Sequence, residues 1–495
     1  MSDKTRQKQL LRDRGVCVII PTYDNGATVA GVAGRALAEC DDVIVVDDGS
    51  TDDTASHLSP LTSHLTIVRH DRNLGKGQAL RSGFAKAREM GFSYAITLDA
   101  DGQHYPEDIP LFLEANRRHP HSLIIGSRTT TGQGKGAVFA NRFSNFWFWV
   151  QTGHRLPDTQ TGYRLYPLTT HLPPLTSRYE AELELLVFSS WHGVELVPIA
   201  VNVYYPPREE RVSHFRPGRD FARISLLNTV LCVLAVVYGL PLRLWRWLMK
   251  YARTIGSLLF FVFFSVFVFT PAVWLYVKRG PMTEQKRTSI HRLLQWLSRV
   301  VMQRIGIPGA PFSCHVADAG AFDTPHVIIC NHQSHLDLMC LMALTPKIIF
   351  LTNDWVWHNP FYGFIIRQAE FYPVSDGLDA LMPRLRSLAE RGYSIAVYPE
   401  GTRSADCRIG RFHRGAFHIA EQLGLGILPA CLYGPGKVLP KKAHTLRKCP
   451  IHIETAPPIN REELEAMGDT MQQAKAMRRR YAEWYDDLCN RMERG

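Results

Sequence analysis

The stretch ITLDADGQHYPEDIP, residues 96–110, places two carboxylates, Asp99 and Asp101, directly after a short apolar run. A short apolar run bounded by acidic and turn-forming residues is typical of a buried strand. Two carboxylates this close together repel one another unless a positive charge lies against them. The stretch therefore predicts a site for a cation at the end of a strand.

The sequence around this stretch alternates between short apolar segments and helical patterns. The predicted strands are 16–21, 43–50, 65–70 and 94–101, and the predicted helices are 27–39 and 77–90. This alternation is typical of a mostly parallel sheet that helices cover on both faces. Ligands bind beyond the carboxyl ends of such strands, so the tips at 21–24, 47–50 and 99–103 are expected to surround one site. A divalent metal that bridges the phosphates of a nucleotide would satisfy these acids.

The composition is that of a globular chain of 495 residues, which is long enough for two or three domains. Ten cysteines without a C-x-x-C pair indicate neither a zinc site nor a disulfide framework, and they favour a reducing compartment. The N-terminal segment predicts no secretory signal. The net charge of +11 favours anionic lipid over nucleic acid, for which no reading module is found. The arginines nearest the apolar middle of the chain are Arg208, Arg211, Arg216, Arg219 and Arg223.

Two apolar segments occupy the middle of the chain. Residues 255–277 run for 23 positions without a charge, and residues 224–241 run for 18. The first is long enough to cross a bilayer core. A buried helix of a soluble domain is the alternative, and it is stronger for the second segment. The predicted divisions are an N-terminal domain at 14–223 and a membrane hairpin with a basic connector at 224–277. A C-terminal domain at 285–457 and a final helix at 461–493 follow.

The C-terminal half contains a second constellation, HVIICNHQSHLDLM at 326–339, whose pattern predicts a strand running into a helix. His332 and Asp337 are five residues apart, so two fully helical positions would lie about 140° apart and could not meet. They meet if His332 lies in the turn and Asp337 in the first helical turn. The alternative is a helix capping box formed by Ser334 and Asp337. A His–Asp pair would serve as a general base that the carboxylate orients.

Six blocks in the N-terminal half occur in the order and spacing of a family 2 glycosyltransferase. They are IIPTYDN, IVVDDGSTDDT, NLGKGQALRSGF, LDADGQHYPEDIP, IIGSR and DTQTGYRLY. Within that family the chain most resembles the dolichol- and polyprenyl-phosphate sugar synthases, over roughly the first 220 residues. The resemblance implies an α/β domain of the GT-A (Rossmann-like) fold. It also implies transfer from a nucleotide-diphosphate sugar with inversion at the anomeric carbon.

The same resemblance implies roles for individual residues. The nucleoside would be held by Pro21, Tyr23, Asp24 and Asp48, and phosphate groups would face Arg128 and Arg142. Mg²⁺ or Mn²⁺ and the diphosphate would be held by Asp99, Asp101 and Gln103, with Asp101 also counted as catalytic. Glu182 and Glu184 are candidate bases for a hydroxyl acceptor, but a solvated helix face is favoured for both. A phosphate acceptor is already anionic and needs no base.

Four blocks follow the His332 segment, namely PFYGFIIRQ, IAVYPEGTRS, FHRGAFHIA and GILPACLYG. With that segment they resemble the lysophospholipid and glycerol-phosphate acyltransferases and their HX4D motif. The resemblance implies that His332 and Asp337 are catalytic and that no cofactor is needed. The implied acceptor-binding residues are Glu400, Gly401 and Arg403. The helical pattern at 285–305 suits a helix lying on the membrane surface.

Together the two halves predict a membrane-bound fusion that builds a glycolipid from a nucleotide sugar, an acyl thioester and a lipid acceptor. The acyl carrier would be coenzyme A or acyl carrier protein. Chains with this pairing resemble enzymes of aryl-polyene and flexirubin-type lipid pathways. Two alternatives stay open: an acyltransferase that serves an unrelated acceptor, and a lipid-binding scaffold with an inactive second domain. Both donors are made in the cytoplasm, so both domains are expected to face it from a bacterial inner membrane.

Overall fold

The computed structural model describes residues 3–128, 135–169, 176–205, 217–305, 312–360 and 362–494. The chain divides into two compact units, Met1–Trp247 and Leu248–Glu493. Each unit is built on one seven-stranded sheet with helices around it, so the predicted α/β class is confirmed for both. Three of the arginines predicted to attract lipid, Arg208, Arg211 and Arg216, lie outside the described residues.

The first unit alternates strands and helices, as its sequence pattern predicts. Its strands are β1 (Val16–Thr22), β2 (Val43–Asp47), β3 (Leu65–Arg69), β4 (Tyr94–Thr97), β5 (Leu123–Arg128), β6 (Arg164–Pro167) and β7 (Leu196–Val201). Its helices up to the end of the sheet are α1 (Asp3–Asp13), α2 (Gly26–Glu39), α3 (Thr54–Leu58), α4 (Lys76–Glu89), α5 (Ile109–Arg118), α6 (Lys135–Thr152) and α7 (Glu180–His192). The strand order is β3-β2-β1-β4-β6-β5-β7. β6 runs antiparallel to both of its neighbours, and the other pairings are parallel.

The central strand β1 shows why both faces of this sheet are covered. Every residue of β1 is buried, and alternate side chains enter two different apolar clusters. Val18 lies in one cluster and Ile19 in the other. Successive side chains of a strand point to opposite faces, so an uninterrupted apolar run requires helices on both sides. Because β1, β2 and β4 are parallel, their carboxyl ends meet at one edge of the sheet.

A continuous helical stretch follows the first sheet, where the sequence predicts a hairpin. It comprises α8 (Pro217–Leu234), α9 (Leu240–Phe263) and α10 (Thr270–Lys278), joined through π-helical turns at Ala235–Gly239 and Phe264–Phe269. Residues Ala222–Lys278 form one helix of 57 residues that is long and apolar enough to cross a membrane, by length and composition. The predicted hairpin is therefore wrong, because the helix continues through the residues where a turn was predicted. The prediction that the segment is apolar is confirmed.

Residues near the junction of α8 and α9, where the basic connector was predicted, contact α6 and α7. Gly239 makes room for an indole: a Cβ there would lie 2.7 Å from the Trp191 ring. Arg243 donates a hydrogen bond to the carbonyl of Thr152, and Arg246 donates one to the carbonyl of Trp191. These carbonyls lie in the last turns of α6 and α7, where a helix has unpaired acceptors and the negative end of its dipole.

The second unit has its own mixed sheet, in the order β11-β10-β12-β9-β13-β14-β8. Its strands are β8 (Ser313–Val316), β9 (Val327–Cys330), β10 (Ile348–Thr352), β11 (Tyr372–Pro373), β12 (Ser394–Val397), β13 (Ile427–Tyr433) and β14 (His452–Thr455). Its further helices are α11 (Glu284–Ile305), α12 (Asp337–Met342), α13 (Asp354–Trp357), α14 (Gly363–Gln368), α15 (Leu378–Glu390), α16 (Gly415–Leu423), α17 (Pro435–Val438), α18 (Arg461–Ala466) and α19 (Thr470–Arg494). The central strands β12, β9 and β13 are parallel, and β14 is antiparallel to β13.

Two helical predictions for this unit are corrected by the structure. The apolar positions of α11, among them Ile290 and Val301, are buried in the core of the unit, so the protein itself covers the face that predicted a membrane-surface helix. At the C terminus the sequence predicts one helix, and the structure has two. Gly468 separates them with φ +96°, a left-handed conformation that favours glycine and ends a helix.

Candidate active sites

A half-buried lysine stands between two carboxylates at the edge where the parallel strands of the first unit end. The ammonium nitrogen of Lys76, in the first turn of α4, lies 2.7 Å from an oxygen of Asp99 and 3.0 Å from an oxygen of Glu182. The second acid of the quoted stretch, Asp101, accepts a hydrogen bond from the backbone N–H of Gln103 at 3.0 Å. The site therefore combines a strand tip with residues from two helices.

Burial and charge shift the pKa values within this group. Burial lowers the pKa of Lys76, but Asp99 and Glu182 outweigh it and hold that pKa above its usual value. Burial raises the pKa of Asp99, but Lys76 outweighs it and holds that pKa below its usual value. Burial first, and the charge of Asp99 second, raise the pKa of Asp101 to about 6. Asp101 is thus the member of the pair whose negative charge is less well compensated by the protein.

The carboxylate pair fits a divalent cation. Both side chains offer the oxygen ligands that Mg²⁺ and Mn²⁺ prefer, and a second positive charge would relieve the repulsion that raises the pKa of Asp101. Gly162 keeps the approach open, because a Cβ there would lie 2.6 Å from an oxygen of Asp99. Among the described residues no three acidic, histidine or cysteine side chains form a complete metal site. A metal would therefore take its remaining ligands from phosphate oxygens and water.

Sequence reasoning missed two residues of this site, Lys76 and His104. Both belong to blocks quoted above, and Lys76 stands between two glycines at the start of a helix, which was a usable signal. His104 is buried, and its Nδ1 has no hydrogen-bond partner among the described residues. Burial lowers the pKa of His104 to about 4, so its imidazole is neutral at pH 7 and able to accept a hydrogen bond or bind a metal.

The residues predicted to hold the nucleoside lie at the ends of β1 and β2. Pro21 is buried in β1 and Tyr23 is half-buried just beyond it. Asp24 has φ +48° and accepts a hydrogen bond from a backbone N–H at 2.8 Å. Asp48 is buried and accepts hydrogen bonds from the backbone N–H groups of the loop that ends at Gly75, at 3.0 and 2.7 Å. Asp48 thus holds that loop in place, and a direct contact to a nucleoside stays a prediction.

The structure places the two predicted phosphate-binding arginines differently. Arg128, at the end of β5, makes a bidentate ion pair with the buried Asp158 at 2.6 and 3.0 Å. Its charge contributes to lowering the pKa of Asp99, so it belongs to the carboxylate site. Arg142 lies on the exposed side of α6. The structure therefore joins only Arg128 to the residues described above.

The favoured interpretation of Glu182 and Glu184 as a solvated helix face is wrong. The side chain of Glu182 is 12% exposed and pairs with Lys76. Glu184 is buried and accepts hydrogen bonds from the N–H and hydroxyl of Thr176 at 2.8 and 2.6 Å. The reason is that α7 is enclosed on most of its surface, so its polar residues must find partners inside the protein.

In the second unit the structure brings His332 and Asp337 together. His332 lies in the turn after β9, and Asp337 is the first residue of α12. The imidazole Nδ1 is 2.9 Å from an Asp337 oxygen, which also accepts the backbone N–H of Gln333 and Ser334 at 2.6 and 2.9 Å. The capping-box alternative is only half met: Asp337 accepts the N–H of Ser334, but the Ser334 hydroxyl donates to the carbonyl of Leu439 and does not cap the helix. With Nδ1 facing the carboxylate, Nε2 is the nitrogen available to take a proton.

The predicted acceptor-binding residues divide into two groups. Glu400 is buried, and its two oxygens accept the backbone N–H groups of His332 and Gly410 at 2.9 and 2.8 Å. It therefore supports the histidine turn. Gly401 is exposed with φ +65°, and Arg403 is half-buried next to that turn. After burial, the charge of Arg403 is the largest cause that lowers the pKa of His335, so its guanidinium lies near the histidine turn.

Tyr398 is a further residue of this site that sequence reasoning missed. Its ring stacks on the His332 imidazole, with centroids 4.1 Å apart and planes inclined by 17°. The phenol oxygen is buried and has no hydrogen-bond partner among the described residues. The stacked ring of Tyr398 and the Asp337 carboxylate together fix the position and tilt of the imidazole.

Two protein families match separate parts of the chain. Residues 17–173 match the glycosyl transferase family 2, and residues 313–433 match the acyltransferase family. The two matched ranges contain the carboxylate pair and the His332–Asp337 pair, respectively.

Individual relatives agree with this division. The chain is 32% identical to an undecaprenyl-phosphate mannosyltransferase from Micrococcus luteus, over 31% of the chain and 67% of the relative. It is 25% identical to a UDP-N-acetylglucosamine–dolichyl-phosphate N-acetylglucosaminyltransferase from Methanococcus voltae, over 39% of the chain and 88% of the relative. It is 35% identical to a chloroplastic 1-acyl-sn-glycerol-3-phosphate acyltransferase from Arabidopsis thaliana, over 24% of the chain.

The chain spans 34% of the length of that plant acyltransferase, so the likeness covers only part of it. The likeness to the mannosyltransferase is broader and covers two thirds of that enzyme. Both matches fall in the order predicted from the sequence blocks. The chain belongs to glycosyl transferase family 2, and residues 313–433 of the same polypeptide match the acyltransferase family.

Proposed function

We propose that the chain is a bifunctional transferase that works on lipids at a membrane. The first unit transfers a sugar from a nucleotide-diphosphate sugar to a lipid acceptor, and the second transfers an acyl chain from a thioester to a hydroxyl. The observation that carries the proposal is that one chain contains both a Lys76–Asp99 ion pair at the strand ends and a His332–Asp337 pair. A scaffold with an inactive second domain would have no reason to keep Asp337 fully buried against an imidazole.

In the first unit, Asp99, Asp101 and Gln103 would hold Mg²⁺ or Mn²⁺ with the diphosphate. When bound, the metal would neutralise charge on the departing diphosphate. Lys76 keeps Asp99 ionised and aligned, and it holds Glu182 away from solvent. Arg128 is fixed by Asp158, so its remaining N–H groups are positioned without further loss of side-chain freedom. The nucleoside is assigned to Pro21, Tyr23 and the neighbouring Asp24 and Asp48.

The acceptor of the sugar is proposed to be a lipid phosphate. A hydroxyl acceptor needs a base, whereas a phosphate is already an anion at neutral pH. Glu182 is held by Lys76 and Glu184 by Thr176, so neither carboxylate is presented as a free base. The two glycosyltransferase relatives carry undecaprenyl phosphate and dolichyl phosphate in their names, which supports the same class of acceptor. This favours the alternative in which the acyltransferase serves a different acceptor.

The variant Glu182→Gln tests the acceptor class. It keeps the size of the side chain and an oxygen that accepts from Lys76, and it removes the capacity to take a proton. With a phosphate acceptor, we expect sugar transfer to fall less than about tenfold. Loss of a general base would instead cost about 10²- to 10⁴-fold. Glu195→Gln, at a carboxylate with 61% exposure, is the matched control. A loss in the larger range would indicate a hydroxyl acceptor.

In the second unit, His332 would take the proton of the acceptor hydroxyl as that oxygen attacks the thioester carbonyl. The C–S bond then breaks, the acyl chain forms an ester, and the proton on His332 passes to the departing thiolate. Asp337 holds the imidazole and stabilises its cationic form. Glu400 fixes the turn that carries His332, and Arg403, beside the exposed Gly401, would bind an anionic group of the acceptor.

The variant Arg403→Ala tests this binding role. Hydrogen bonds to a charged group contribute about 1.5–3 kcal/mol, so the KM for an acceptor with a phosphate should rise about 10- to 100-fold. The value of kcat should change little, because Arg403 does not touch the transferred proton. Arg408→Ala, at a side chain with 59% exposure, is the control. Equal KM values for both variants would contradict the assignment.

Lipid analysis tests the proposal as a whole. Cells that express the intact chain should contain a glycosylated lipid and an acylated lipid that are absent without it, detected by mass spectrometry. If both domains serve one glycolipid, His332→Ala should leave a sugar-bearing lipid that lacks one acyl chain. Changes in two chemically unrelated lipids would support the alternative of separate acceptors. In either case both sites are proposed to face the bacterial cytoplasm, where nucleotide sugars and acyl-coenzyme A or acyl carrier protein are found.

A further inference from the structure

Helix α6 carries a stripe of large apolar side chains on its outer face. The stripe consists of Phe139, Phe143, Phe146, Trp149 and Val150, which are 71, 39, 51, 41 and 46% exposed. Their spacing of three and four residues places them along one side of the helix. The opposite side is held by the protein: Phe148 is fully buried, and Gln151 donates to the side chain of Asn228 at 2.9 Å. A soluble surface rarely presents so many contiguous aromatic groups.

The charges around the stripe are positive. Helix α6 contains no acidic residue, and Arg142 lies exposed beside Phe143 in the sequence. At its C-terminal end, the Arg155 guanidinium lies 5.5 Å from the centre of the Trp149 ring. Aromatic side chains flanked by arginines suit the boundary between headgroups and acyl chains in an anionic bilayer. The stripe therefore matches lipid in both hydrophobicity and charge.

Helix α6, which carries the stripe, is bonded to the long apolar helix. Gln151 joins α6 to Asn228 of α8, and α8 is the first part of the helix that is long and apolar enough to cross a membrane. Leu226, Val230 and Val233 of α8 are 67, 45 and 60% exposed, so the helix bonded to α6 also presents apolar side chains on its surface. Because α6 is bonded to α8, an α8 surface in lipid would keep α6 close to the same boundary.

The inner side of α6 is bonded to the sugar-transfer site. The Ser144 hydroxyl is 2.7 Å from the Thr159 hydroxyl, and Asn145 accepts the backbone N–H of Thr159 at 3.0 Å. Thr159 follows Asp158, the residue that fixes Arg128. One helix therefore connects the aromatic stripe to the residues that surround the carboxylates.

We propose that the aromatic stripe of α6 is a membrane-binding surface that inserts into the headgroup–acyl boundary of an anionic bilayer. It places the sugar-transfer site over the membrane, so that the phosphate of a lipid acceptor reaches the site while its chain stays in the bilayer. The second part of this inference rests on the proposed lipid acceptor. The insertion itself does not, and it is tested separately.

Depth-dependent fluorescence quenching tests the insertion. The full chain with Cys314→Ser, which removes the exposed cysteine, would carry an environment-sensitive fluorophore at Phe146→Cys. It would be reconstituted into vesicles of phosphatidylcholine and phosphatidylglycerol that contain a shallow spin-labelled lipid. We expect at least twofold stronger quenching than for a fluorophore at Met90→Cys, an apolar residue of similar exposure, 43% against 51%. Equal quenching at both positions would overturn the proposal. So would a spectral change that depends on protein concentration without lipid, because a second copy would then cover the stripe.

Activity tests the coupling to the acceptor. The double variant Phe143→Ser with Phe146→Ser should lower sugar transfer to a polyprenyl phosphate embedded in vesicles at least tenfold. Transfer to a short-chain, water-soluble phosphate acceptor should stay unchanged. Leu111→Ser, at a side chain that is 45% exposed, is the matched control. Equal loss with both acceptors would overturn the coupling. If the unaltered chain used neither acceptor, the proposed function would fail while the quenching result still decided the insertion.

Discussion

Replacing His332 by alanine is expected to lower acyl transfer about 10²- to 10⁴-fold, the range that a general base contributes. The imidazole is fixed by an Asp337 oxygen at 2.9 Å and by the stacked ring of Tyr398, so its loss removes a positioned proton acceptor. The measurement is the release of free thiol from acyl-coenzyme A in the presence of acceptor. Sugar transfer by the same preparation should continue, because its proposed residues belong to the other sheet.

The control for this variant is His418→Ala, at a histidine of α16 with 43% exposure. Asp337→Asn should also lower acyl transfer, because asparagine cannot stabilise the imidazolium that forms when His332 takes a proton. Acyl transfer that survives in His332→Ala at a third or more of its original rate would refute the assignment. A parallel loss of sugar transfer would show that the variant had damaged the fold.

Replacing Asp101 by alanine is expected to lower sugar transfer at least about 10²-fold, because it removes one of the two carboxylates proposed to hold the metal that would stabilise the leaving group. A chelator in excess should have the same effect on the unaltered chain. Acyl transfer should be unaffected by either treatment, which provides an internal control for folding. Asp41→Ala, at a carboxylate with 41% exposure in a surface ion pair, is the matched control. Sugar transfer that persists in excess chelator would refute a metal at this site.

The same carboxylate predicts how the metal requirement depends on pH. The pKa of Asp101 is raised to about 6, so a proton competes with the metal increasingly as the pH falls through that value. The metal concentration for half-maximal sugar transfer should therefore rise between pH 7 and pH 5. Above pH 7 the carboxylate is ionised and the requirement should level off. A requirement that is constant across this range would show that Asp101 does not bind the metal.

The strand tips and the His–Asp pair could be predicted because their signals are local. The strand β4 is a short apolar run in the sequence. Asp99 and Asp101 follow directly after it, so their place at the end of a strand depends on no distant residue. His332 and Asp337 meet because they are five residues apart and the helix α12 begins at Asp337, which leaves His332 in the turn before it. These features depend on backbone geometry within a few residues, which the sequence displays directly.

Features that depend on packing between distant segments could not be predicted. Lys76 meets Glu182 only because α4 packs beside α7, and the sequence around either residue does not predict the ion pair. Gly239 leaves room for the indole of Trp191, a residue 48 positions away in the sequence. Glu184 has the pattern of a solvated face until the partner supplied by Thr176 is known. In each case the deciding atom belongs to a residue that no local pattern identifies.

The arginines at the start of α9 affect how the orientation of this chain in a membrane can be inferred from its charges. Rules for membrane topology count lysines and arginines near apolar segments, on the assumption that each one interacts with lipid phosphate and water. Arg243 and Arg246 instead donate to the carbonyls of Thr152 and Trp191, so each contributes less to that count than a freely hydrated side chain. A topology assigned by counting these two arginines would be biased, because their side chains bind the C-terminal carbonyls of α6 and α7. For this chain, orientation has to be measured at residues whose charge is free to meet the bilayer.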